Sequence, residues 1–430
     1  MDEKIIRKSS FYAWMTVVTG FFTFFMIYGT SLNCMGLFTA PMSETLGVDR
    51  AVISSFLTIG GLGAIPSGII FGRIVEKTDL KIPMAVCCFL VGLGYIINGT
   101  ATSLPPFYFA AVIIGIGLAG SIQIPVSVFI NGWFIKKKGV AMGLTMVGSG
   151  VGGAVLSQVI VRIIMDAGWQ YAWKTVGIVT IAITIPLVLI FITKDPHLKG
   201  MIKYGENDAE EIVAAEENKA STIAGNEREM KVIFKSPEFW LLFIGLTLLT
   251  LPMVAVKAHM VAFMTDLGYS QQLAANILTI TVLAVIPGKP VTGWVFDRLG
   301  SRWATAICGL CMTIGVFLLA GIPAGFIFAI LFGAIYGFGS AFSSVGTPLC
   351  LRNVARTHKN FATLLSILII GPSIAGSIGA TIIGAIYDSV GSYVMAFVAC
   401  AIVIGIGYIC TFLAVKISKS KASVENVEMR

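Results

Sequence analysis

The decamer GWVFDRLGSR, residues 293–302, ends a long apolar run with one acid and two bases. An earlier decamer, GRIVEKTDLK at residues 72–81, has the same skeleton of a glycine, three residues, an acid, a base, and a base at the end. The two acids are Glu76 and Asp297, and their separation, which we call the repeat offset, is close to half of the chain. This spacing indicates an internal duplication.

Three further pairs of short motifs recur at the repeat offset, to within a single position. In one pair, LGVD and LGYS, Asp49 and Ser270 are each predicted to cap the helix that follows. The sequence therefore predicts six helices that were duplicated in the same orientation, as in parallel transporter repeats. The pairs are 46–49 with 267–270, 115–117 with 337–339, and 166–171 with 388–393.

The composition places the chain in a membrane. Of the 430 residues, 56% are hydrophobic and only 12% are charged, with a mean hydropathy of +0.89. Soluble globular proteins have about twice that charged fraction. The composition therefore predicts an integral membrane protein. The net charge of +8 does not indicate a nucleic-acid partner, because the bases follow a membrane topology.

Twelve apolar runs are long enough to cross a bilayer, which takes about 20 residues. A polar stretch with nine acids and seven bases, residues 194–235, separates the sixth run from the seventh. The predicted organisation is an N-terminal bundle at 1–193, a central loop with partial helix at 194–236, and a C-terminal bundle at 237–430. The predicted spans are 12–36, 51–72, 82–102, 106–131, 140–163, 171–193, 239–264, 272–294, 303–321, 324–349, 361–386 and 392–415.

The basic residues predict the orientation. Both termini lie on one side of the membrane, and that side with its alternate loops holds 25 of the 30 Lys and Arg residues. By the positive-inside rule both termini are predicted to be cytoplasmic, in a multi-pass protein of the cytoplasmic membrane. The same rule places both charged decamers on the cytoplasmic side.

Ionisable residues inside the spans are the first candidates for function. Lys289 lies within the eighth span, and a lysine at mid-membrane costs about 2.5–3.5 kcal/mol, so it is predicted to contact an anionic substrate. The alternative is a lysine that snorkels to the interface. In the seventh span His259 lies seven residues from Asp266, and the two are candidates for proton coupling. Lys257 points roughly 200° away from His259 on the helix and is weighted lower.

Other polar residues in the spans are candidates for lining a substrate cavity. Ser340 and Ser344 share one helix face at a spacing of four residues. The alternative for each residue is a hydrogen bond between helices. The predicted substrate-binding set is Lys289, His259, Tyr28, Asn33, Gln123, Ser340 and Ser344.

Two G-x-G-x-x-G strings, residues 115–120 and 148–153, match a dinucleotide motif by letter. Such a site needs a strand before the glycines and a helix that starts at them. Both strings lie inside apolar spans, where small residues let helix backbones approach. We find no Walker motif, catalytic triad or metal-ligand cluster, so the sequence predicts no enzyme, no cofactor, no metal and no ATP-driven pump.

The decamers resemble the loop motif G-x-x-x-D-R-x-G-x-[RK] of the major facilitator superfamily. Residues 293–302 match it fully, and the first copy departs with Glu76 for the acid and Asp79 for the inner glycine. The resemblance implies an all-α integral membrane protein of 12 transmembrane helices in two six-helix bundles. It also implies a cytoplasmic latch, and the alternative is that these charges only mark topology. The predicted latch residues are Glu76, Lys77, Asp297, Arg298 and Arg302.

Three longer stretches are similar to the monocarboxylate and oxalate–formate transporter branch: HMVAFMTDLG from 259, GKPVTGWVFDRLG from 288 and NGWFIKKKGVAMGLTMVGSGVGG from 131. The resemblance implies that Lys289 replaces the arginine that pairs with the substrate carboxylate. Val285 and Asn33 stand where animal members place an acid and a lysine. The second cation of oxalate–formate exchangers has no counterpart at residues 369–371, which argues against dicarboxylate exchange.

These features together predict a secondary active transporter of a small organic anion, such as lactate, formate or a related carboxylate. It would function as a monomer by alternating access, with protons or a counter-anion as the coupling partner. Three alternatives remain open. They are an exporter of larger amphipathic compounds, an anion exchanger of the oxalate–formate type, and a transporter-like sensor that moves nothing.

Overall fold

A computed structural model describes residues 3–48, 50–206, 230–355, 360–390 and 392–428. Within these ranges the chain is almost entirely helical, with one isolated bridge between Phe134 and Tyr204. Ten helices in the described ranges are long and apolar enough to cross a membrane. One of them, Asn276–Ala320, spans the eighth and ninth predicted runs, and the shorter apolar helix Phe361–Gly376 covers part of the eleventh. The helices therefore account for the twelve predicted spans.

The chain forms two compact units. Unit 1 comprises Met1–Glu211 together with Asn360–Ser366, and unit 2 comprises Ile212–Lys359 with Ile367–Arg430. The predicted division at residues 193 and 236 stays a prediction. Residues 360–366 belong to the second sequence repeat, yet they pack within unit 1.

Unit 1 begins with a helix that is wound in three ways along its length. An α-helix passes into an 11-residue π-helix and back into an α-helix that contains Pro41. π-Helical turns are rare in proteins, and many of those that occur lie at functional sites. The helices of unit 1 are α1 (Glu3–Thr23), the π-helix Phe24–Cys34, α2 (Met35–Leu46), α3 (Arg50–Lys77), α4 (Lys81–Thr100), α5 (Leu104–Ser121), α6 (Gln123–Trp133), α7 (Lys138–Ala167) and α8 (Trp169–Phe191).

In unit 2 the 50-residue segment Gln271–Ala320 consists of two helices that meet at a kink at Gly300, where φ is 81° and ψ is 170°. Glycine tolerates this conformation, so the second decamer turns the chain between two spans. The remaining helices follow in chain order. They are α9 (Met230–Lys235), α10 (Pro237–Asp266), α11 (Gln271–Ala320), α12 (Ile327–Ser340), α13 (Phe342–Ala355), α14 (Phe361–Leu368), α15 (Ile370–Val390) and α16 (Tyr393–Glu428).

Glycines of α5 pack directly on neighbouring backbones in unit 1. A Cβ at Gly115 would overlap the Gly60 carbonyl oxygen of α3, and one at Gly117 would lie 2.7 Å from the Cys87 carbonyl oxygen of α4. These contacts leave no room for a side chain, as expected for close helix packing in lipid. The first G-x-G-x-x-G string is therefore a packing feature.

Unit 2 repeats these contacts at the distance of the duplication. A Cβ at Gly337 on α12 would overlap the Thr281 carbonyl oxygen, and one at Gly339 would lie 2.9 Å from the Cys308 carbonyl oxygen. These glycines and their carbonyl partners follow those of unit 1 by the repeat offset, to within a single position. The predicted duplication is thereby present in the packing of both units.

The second glycine string packs α7 against the start of the chain. Added Cβ atoms at Gly148 and Gly152 would overlap the carbonyl oxygens of Phe21 and Phe25. This close approach holds the π-helix against α7. The helix caps agree in part with prediction, since the Ser270 hydroxyl accepts from the Leu273 N–H at 3.3 Å, while Asp49 lies outside the described residues.

The chain after α8 folds back over the end of unit 1. The Trp133 indole donates to the Thr193 carbonyl at 2.9 Å, and the Tyr204 N–H donates to the Trp133 carbonyl at 2.7 Å. The rings of Trp14, Phe134 and Tyr204 contact one another with centroids 5.4–5.9 Å apart. The predicted polar loop therefore starts as a packed segment. Residues 207–229 lie outside the described ranges, and a short helix follows at Met230–Lys235.

Lys199 caps the carboxyl-terminal end of α8. Its ammonium donates to the Ile190 carbonyl at 3.2 Å and lies 5.4 Å from the centre of the Tyr12 ring. A cation at this end of a helix interacts favourably with the helix dipole. Desolvation, followed by the nearby Lys81 ammonium, lowers the pKa of Lys199, and the Asp79 carboxylate opposes that shift.

Candidate functional site

Lys289 is the buried cation of unit 2. Its side chain is only 6% exposed, and it lies on α11 between Pro287 and Pro290. Each proline lacks the N–H that would bond a carbonyl one turn earlier, which loosens the helix at this point. Burial of a charged lysine in a membrane span costs free energy unless the charge interacts with a partner, such as a polar group or a substrate. This residue is the centre of the candidate site.

Lys257 on α10 is a second lysine within a span of unit 2. It is half-buried. The Tyr336 hydroxyl of α12 donates to the Met253 carbonyl at 3.0 Å, one turn before Lys257. Unit 2 therefore has lysines in two of its spans, and α12 packs on the span that carries Lys257.

His259 points to another neighbour. Its Nδ1 lies 3.4 Å from the Tyr393 hydroxyl of α16, and the two ring centroids are 5.5 Å apart. Positions 257 and 259 are rotated by about 200° on the helix, so Lys257 does not share this face with His259. Asp266 is the exposed last residue of α10. The proton route from Asp266 to His259 stays a prediction.

The two serines predicted on α12 and α13 bond to carbonyls of the preceding turn. The Ser340 hydroxyl donates to Gly337 at 2.8 Å, and the Ser344 hydroxyl donates to Ala341 at 3.1 Å. Such local bonds compete with a ligand for the hydroxyl. A role for these serines in substrate binding stays a prediction.

The candidate residues of unit 1 lie on two elements. Tyr28 is on the π-helix, with its ring 6.0 Å from that of Phe24. Asn33, at the end of the π-helix, donates to the Ser149 carbonyl of α7 at 2.8 Å. Gln123 begins α6. The structure assigns Asn33 a contact between helices, which was the alternative considered for these residues.

The first decamer makes the kind of contact that a latch requires. The Glu76 carboxylate accepts from the Thr363 N–H at 3.3 Å, in the first turn of α14. About two turns earlier on α3, the Gly68 carbonyl accepts from the Ser366 hydroxyl at 2.8 Å. An acid is favourable at a helix N-terminus. The carboxylate therefore joins a span of the first repeat to a span of the second.

Asp79, the departure from the family motif, has a local role. Its carboxylate accepts from the Leu80 N–H at 2.8 Å and from the Lys194 N–H at 2.9 Å. In the second decamer Arg302 donates to the Lys416 carbonyl at 3.2 Å. Position 416 follows position 194 by the repeat offset, to within a single position, so both decamers hold the chain at the end of a sixth span.

The other predicted latch residues, Lys77, Asp297 and Arg298, are exposed. Sequence reasoning missed Thr363 and Ser366, since uncharged residues of an apolar span give no signal before the fold is known. It also treated Asp79 only as a departure.

Comparisons with known proteins agree with this architecture. A model of the Major Facilitator Superfamily matches residues 19–274 and 253–428. The MFS-type transporter pynF of Aspergillus niger is 23% identical over 393 residues, which cover 89% of this chain and 83% of that protein. The solved structure of the superfamily transporter FucP, in the outward conformation, gives a TM-score of 0.69 at 14% identity and covers 93% of this chain and 98% of its own.

Two relatives have informative names. The oxalate:formate antiporter of Oxalobacter formigenes is 26% identical over 293 residues, which are 64% of each chain. Monocarboxylate transporter 13 of Bos taurus is 22% identical over 395 residues, 90% of this chain and 85% of that protein. The chain is a multi-pass membrane protein that belongs to the Major Facilitator Superfamily and resembles its monocarboxylate and oxalate–formate transporters.

Proposed function

We propose that this transporter moves a small organic anion, of the monocarboxylate class, across the cytoplasmic membrane by alternating access. Lys289 holds the anion. The observation that carries the proposal is Lys289, which is only 6% exposed within a membrane span. The similarity to a monocarboxylate transporter and an oxalate:formate antiporter supports the same class of cargo.

The physical reason is charge balance. Lys289 is eight residues from Asp297, about 12 Å along the helix at 1.5 Å per residue. A carboxylate that enters the site supplies a negative charge next to the ammonium and forms a charge-assisted hydrogen bond. The anion thereby offsets part of the cost of holding a cation in the span.

The contacts of the first decamer's helix are consistent with alternating access. They are two hydrogen bonds, from the Thr363 N–H to the Glu76 carboxylate and from the Ser366 hydroxyl to the Gly68 carbonyl. Bonds of this kind contribute about 0.5–3 kcal/mol each, so they can break and re-form during a transport cycle. We infer that the decamers lie at the cytoplasmic face, that both termini are cytoplasmic, and that one chain is the functional unit.

Uptake into proteoliposomes tests the proposal. The purified chain is reconstituted, and uptake of radiolabelled lactate, formate and oxalate is measured with and without an inward proton gradient. Uptake that exceeds protein-free liposomes and is lost in Lys289→Gln supports anion transport. Uptake equal to protein-free liposomes for all three anions under both conditions contradicts it.

A further inference from the structure

The chain that follows α8 is tied to the first decamer through Lys194. The Lys194 N–H donates to the Asp79 carboxylate at 2.9 Å. The Lys194 ammonium donates to the Val75 carbonyl at 2.8 Å and to the Glu76 carbonyl at 3.4 Å. All of these residues belong to unit 1. A residue 118 positions away from Glu76 therefore reaches the last turn of α3, which carries that acid.

The end of α3 has backbone carbonyls that its own helix cannot satisfy. The last four carbonyls of an α-helix have no N–H partner within the helix. The Ile74 carbonyl accepts from the Thr78 N–H at 2.9 Å and from the Thr78 hydroxyl at 2.8 Å. The next two carbonyls, those of Val75 and Glu76, accept from the Lys194 ammonium. The lysine side chain therefore caps this turn.

The backbone of Lys194 is held in place by its neighbours in unit 1. The Trp133 indole donates to the carbonyl of the preceding residue, Thr193, at 2.9 Å. A Cβ at Gly132 on α6 would overlap the Lys194 carbonyl oxygen, so the two backbones are in close contact. Because the backbone is already fixed, the ammonium loses only side-chain freedom when it reaches α3.

Lys194 also compensates for an unfavourable position of Glu76. The acid lies in the last turn of α3, where the helix dipole disfavours a negative charge. Its carboxylate accepts from the Thr363 N–H at 3.3 Å in the first turn of α14, where the dipole favours a negative charge. A cation on the last carbonyls of α3 offsets the first of these two effects. The ammonium therefore favours the position of Glu76 in which its carboxylate reaches α14.

The corresponding lysine of unit 2 is used differently. Lys416 follows Lys194 by the repeat offset, to within a single position, and its side chain is exposed. There the Arg302 guanidinium donates to the Lys416 carbonyl at 3.2 Å. In unit 1 the lysine side chain reaches the decamer's helix, and in unit 2 the lysine backbone meets the decamer.

We propose that Lys194 is a positioning residue of the latch: its ammonium holds the last turn of α3 so that the Glu76 carboxylate reaches the Thr363 N–H. This inference rests on the alternating access of the proposed function, in which the latch breaks and re-forms. Release of the ammonium loosens the turn that carries Glu76, and the contact with α14 weakens with it. The packing of the segment after α8 thereby sets how readily the latch opens.

Cysteine labelling of the purified full-length chain in detergent, with a water-soluble maleimide, tests this role. The reporter is a cysteine at Ala362, which is 3% exposed. Lys194→Met removes the charge and is expected to raise the labelling rate about two- to fivefold, the size expected for a charge at a helix terminus. Lys194→Arg keeps the charge and is expected to restore the original rate. In a chain that already carries Glu76→Gln, Lys194→Met is expected to add no further rise, because the carboxylate that the ammonium positions is absent.

Lys199→Met is the matched control. Lys199 belongs to the same segment, and its ammonium donates to the Ile190 carbonyl at 3.2 Å, so the variant removes a similar cap from α8, which carries none of the latch residues. Its labelling rate at position 362 is expected to be unchanged. No rise in Lys194→Met, an equal rise in Lys199→Met, or an equal rise with and without Glu76→Gln overturns the role of Lys194. The labelling needs no cargo, so a failure of anion uptake overturns the proposed cargo and leaves this test standing.

Discussion

Unit 1 and unit 2 share their packing contacts and differ in where they place charge. The glycines of α5 and α12 meet corresponding carbonyls in the two units, separated by the repeat offset to within a single position. Counted back by that offset, Lys257 and Lys289 correspond to Gly36 and Gly68. The scaffold was therefore retained in both copies, and the cations of the candidate site stand where the first copy has glycine.

Gly68 also shows how one position serves two purposes. In unit 1 its carbonyl accepts from the Ser366 hydroxyl, so the position contacts a span of the second repeat. The corresponding Lys289 is buried in unit 2 and is assigned to the anion. The comparison teaches that the departures from the repeat, rather than the repeat itself, indicate function.

The largest expected effect on transport comes from removing the charge of Lys289, which unit 1 lacks at the corresponding position. Lys289→Gln should lower anion transport on the order of 100-fold, because a hydrogen bond to a charged group contributes about 1.5–3 kcal/mol and each 1.4 kcal/mol is tenfold. Lys289→Arg should retain partial activity, since it keeps the cation. Initial rates of uptake into proteoliposomes are the measurement.

Lys174→Met, on α8 of unit 1, is the control for the loss of a lysine from a span, and it should transport normally. Wild-type rates in Lys289→Gln would mean that the lysine only snorkels, and that the charge difference between the units has no part in transport.

The shared contacts predict a smaller, matched effect on stability. Gly115→Ala and Gly337→Ala should each destabilise their own unit by about 1–3 kcal/mol, because the added methyl group overlaps a backbone carbonyl. Apparent melting temperatures in detergent should fall in both variants.

Gly61→Ala is the control for this pair, since a Cβ at Gly61 meets nothing within 4 Å. That variant should be as stable as the wild type or more so, because alanine favours a helix over glycine by roughly 0.5–1 kcal/mol. A normal melting temperature for Gly337→Ala beside a lowered one for Gly115→Ala would show that the contacts of the two units are not equivalent.

The third prediction concerns the acid of each charged decamer, Glu76 in the first and Asp297 in the second. Glu76→Gln should slow turnover about two- to fivefold, because the interaction of a charge with a helix N-terminus contributes roughly 0.3–1 kcal/mol. Asp297→Asn should also slow turnover and favour the inward-open state, with substrate affinity less affected. A cysteine placed at Ala362, which is 3% exposed, reports opening through its labelling from the cytoplasmic side.

Faster labelling at position 362 in Glu76→Gln than in the otherwise identical chain with Glu76 supports the latch. Unchanged labelling and turnover in both decamer variants would leave the charges as markers of topology.

The repeat and the spans could be predicted from the sequence because their signals are local: a motif, an apolar run and a glycine pair. The contact of His259 with Tyr393 could not. Helical periodicity gives the angle between Lys257 and His259, but the neighbour on each face depends on how separate helices pack. The same limit applies to Glu76, whose partner Thr363 is 287 residues away and is uncharged.

The smallest expected effect concerns His259, where the comparison of the units gives a specific test. The position that precedes it by the repeat offset is Phe38, which stacks on Trp173 with centroids 4.0 Å apart. His259 also contacts an aromatic ring, that of Tyr393, in a tilted arrangement with a centroid distance of 5.5 Å. The histidine therefore occupies a position that serves packing in unit 1.

His259→Phe restores the chemistry of unit 1 at this position and keeps an aromatic ring against Tyr393. If His259 carries a proton that Asp266 receives, both His259→Phe and Asp266→Asn should reduce accumulation driven by an inward proton gradient about two- to threefold more than they reduce anion-for-anion exchange. Both rates are measured in the same proteoliposomes, with the internal anion present or absent. Phenylalanine keeps an aromatic ring against Tyr393. A loss of accumulation in His259→Phe is therefore not caused by the loss of the ring contact. Normal accumulation in both variants would mean that the histidine is a packing residue like Phe38 and that the transporter works as an exchanger or uniporter.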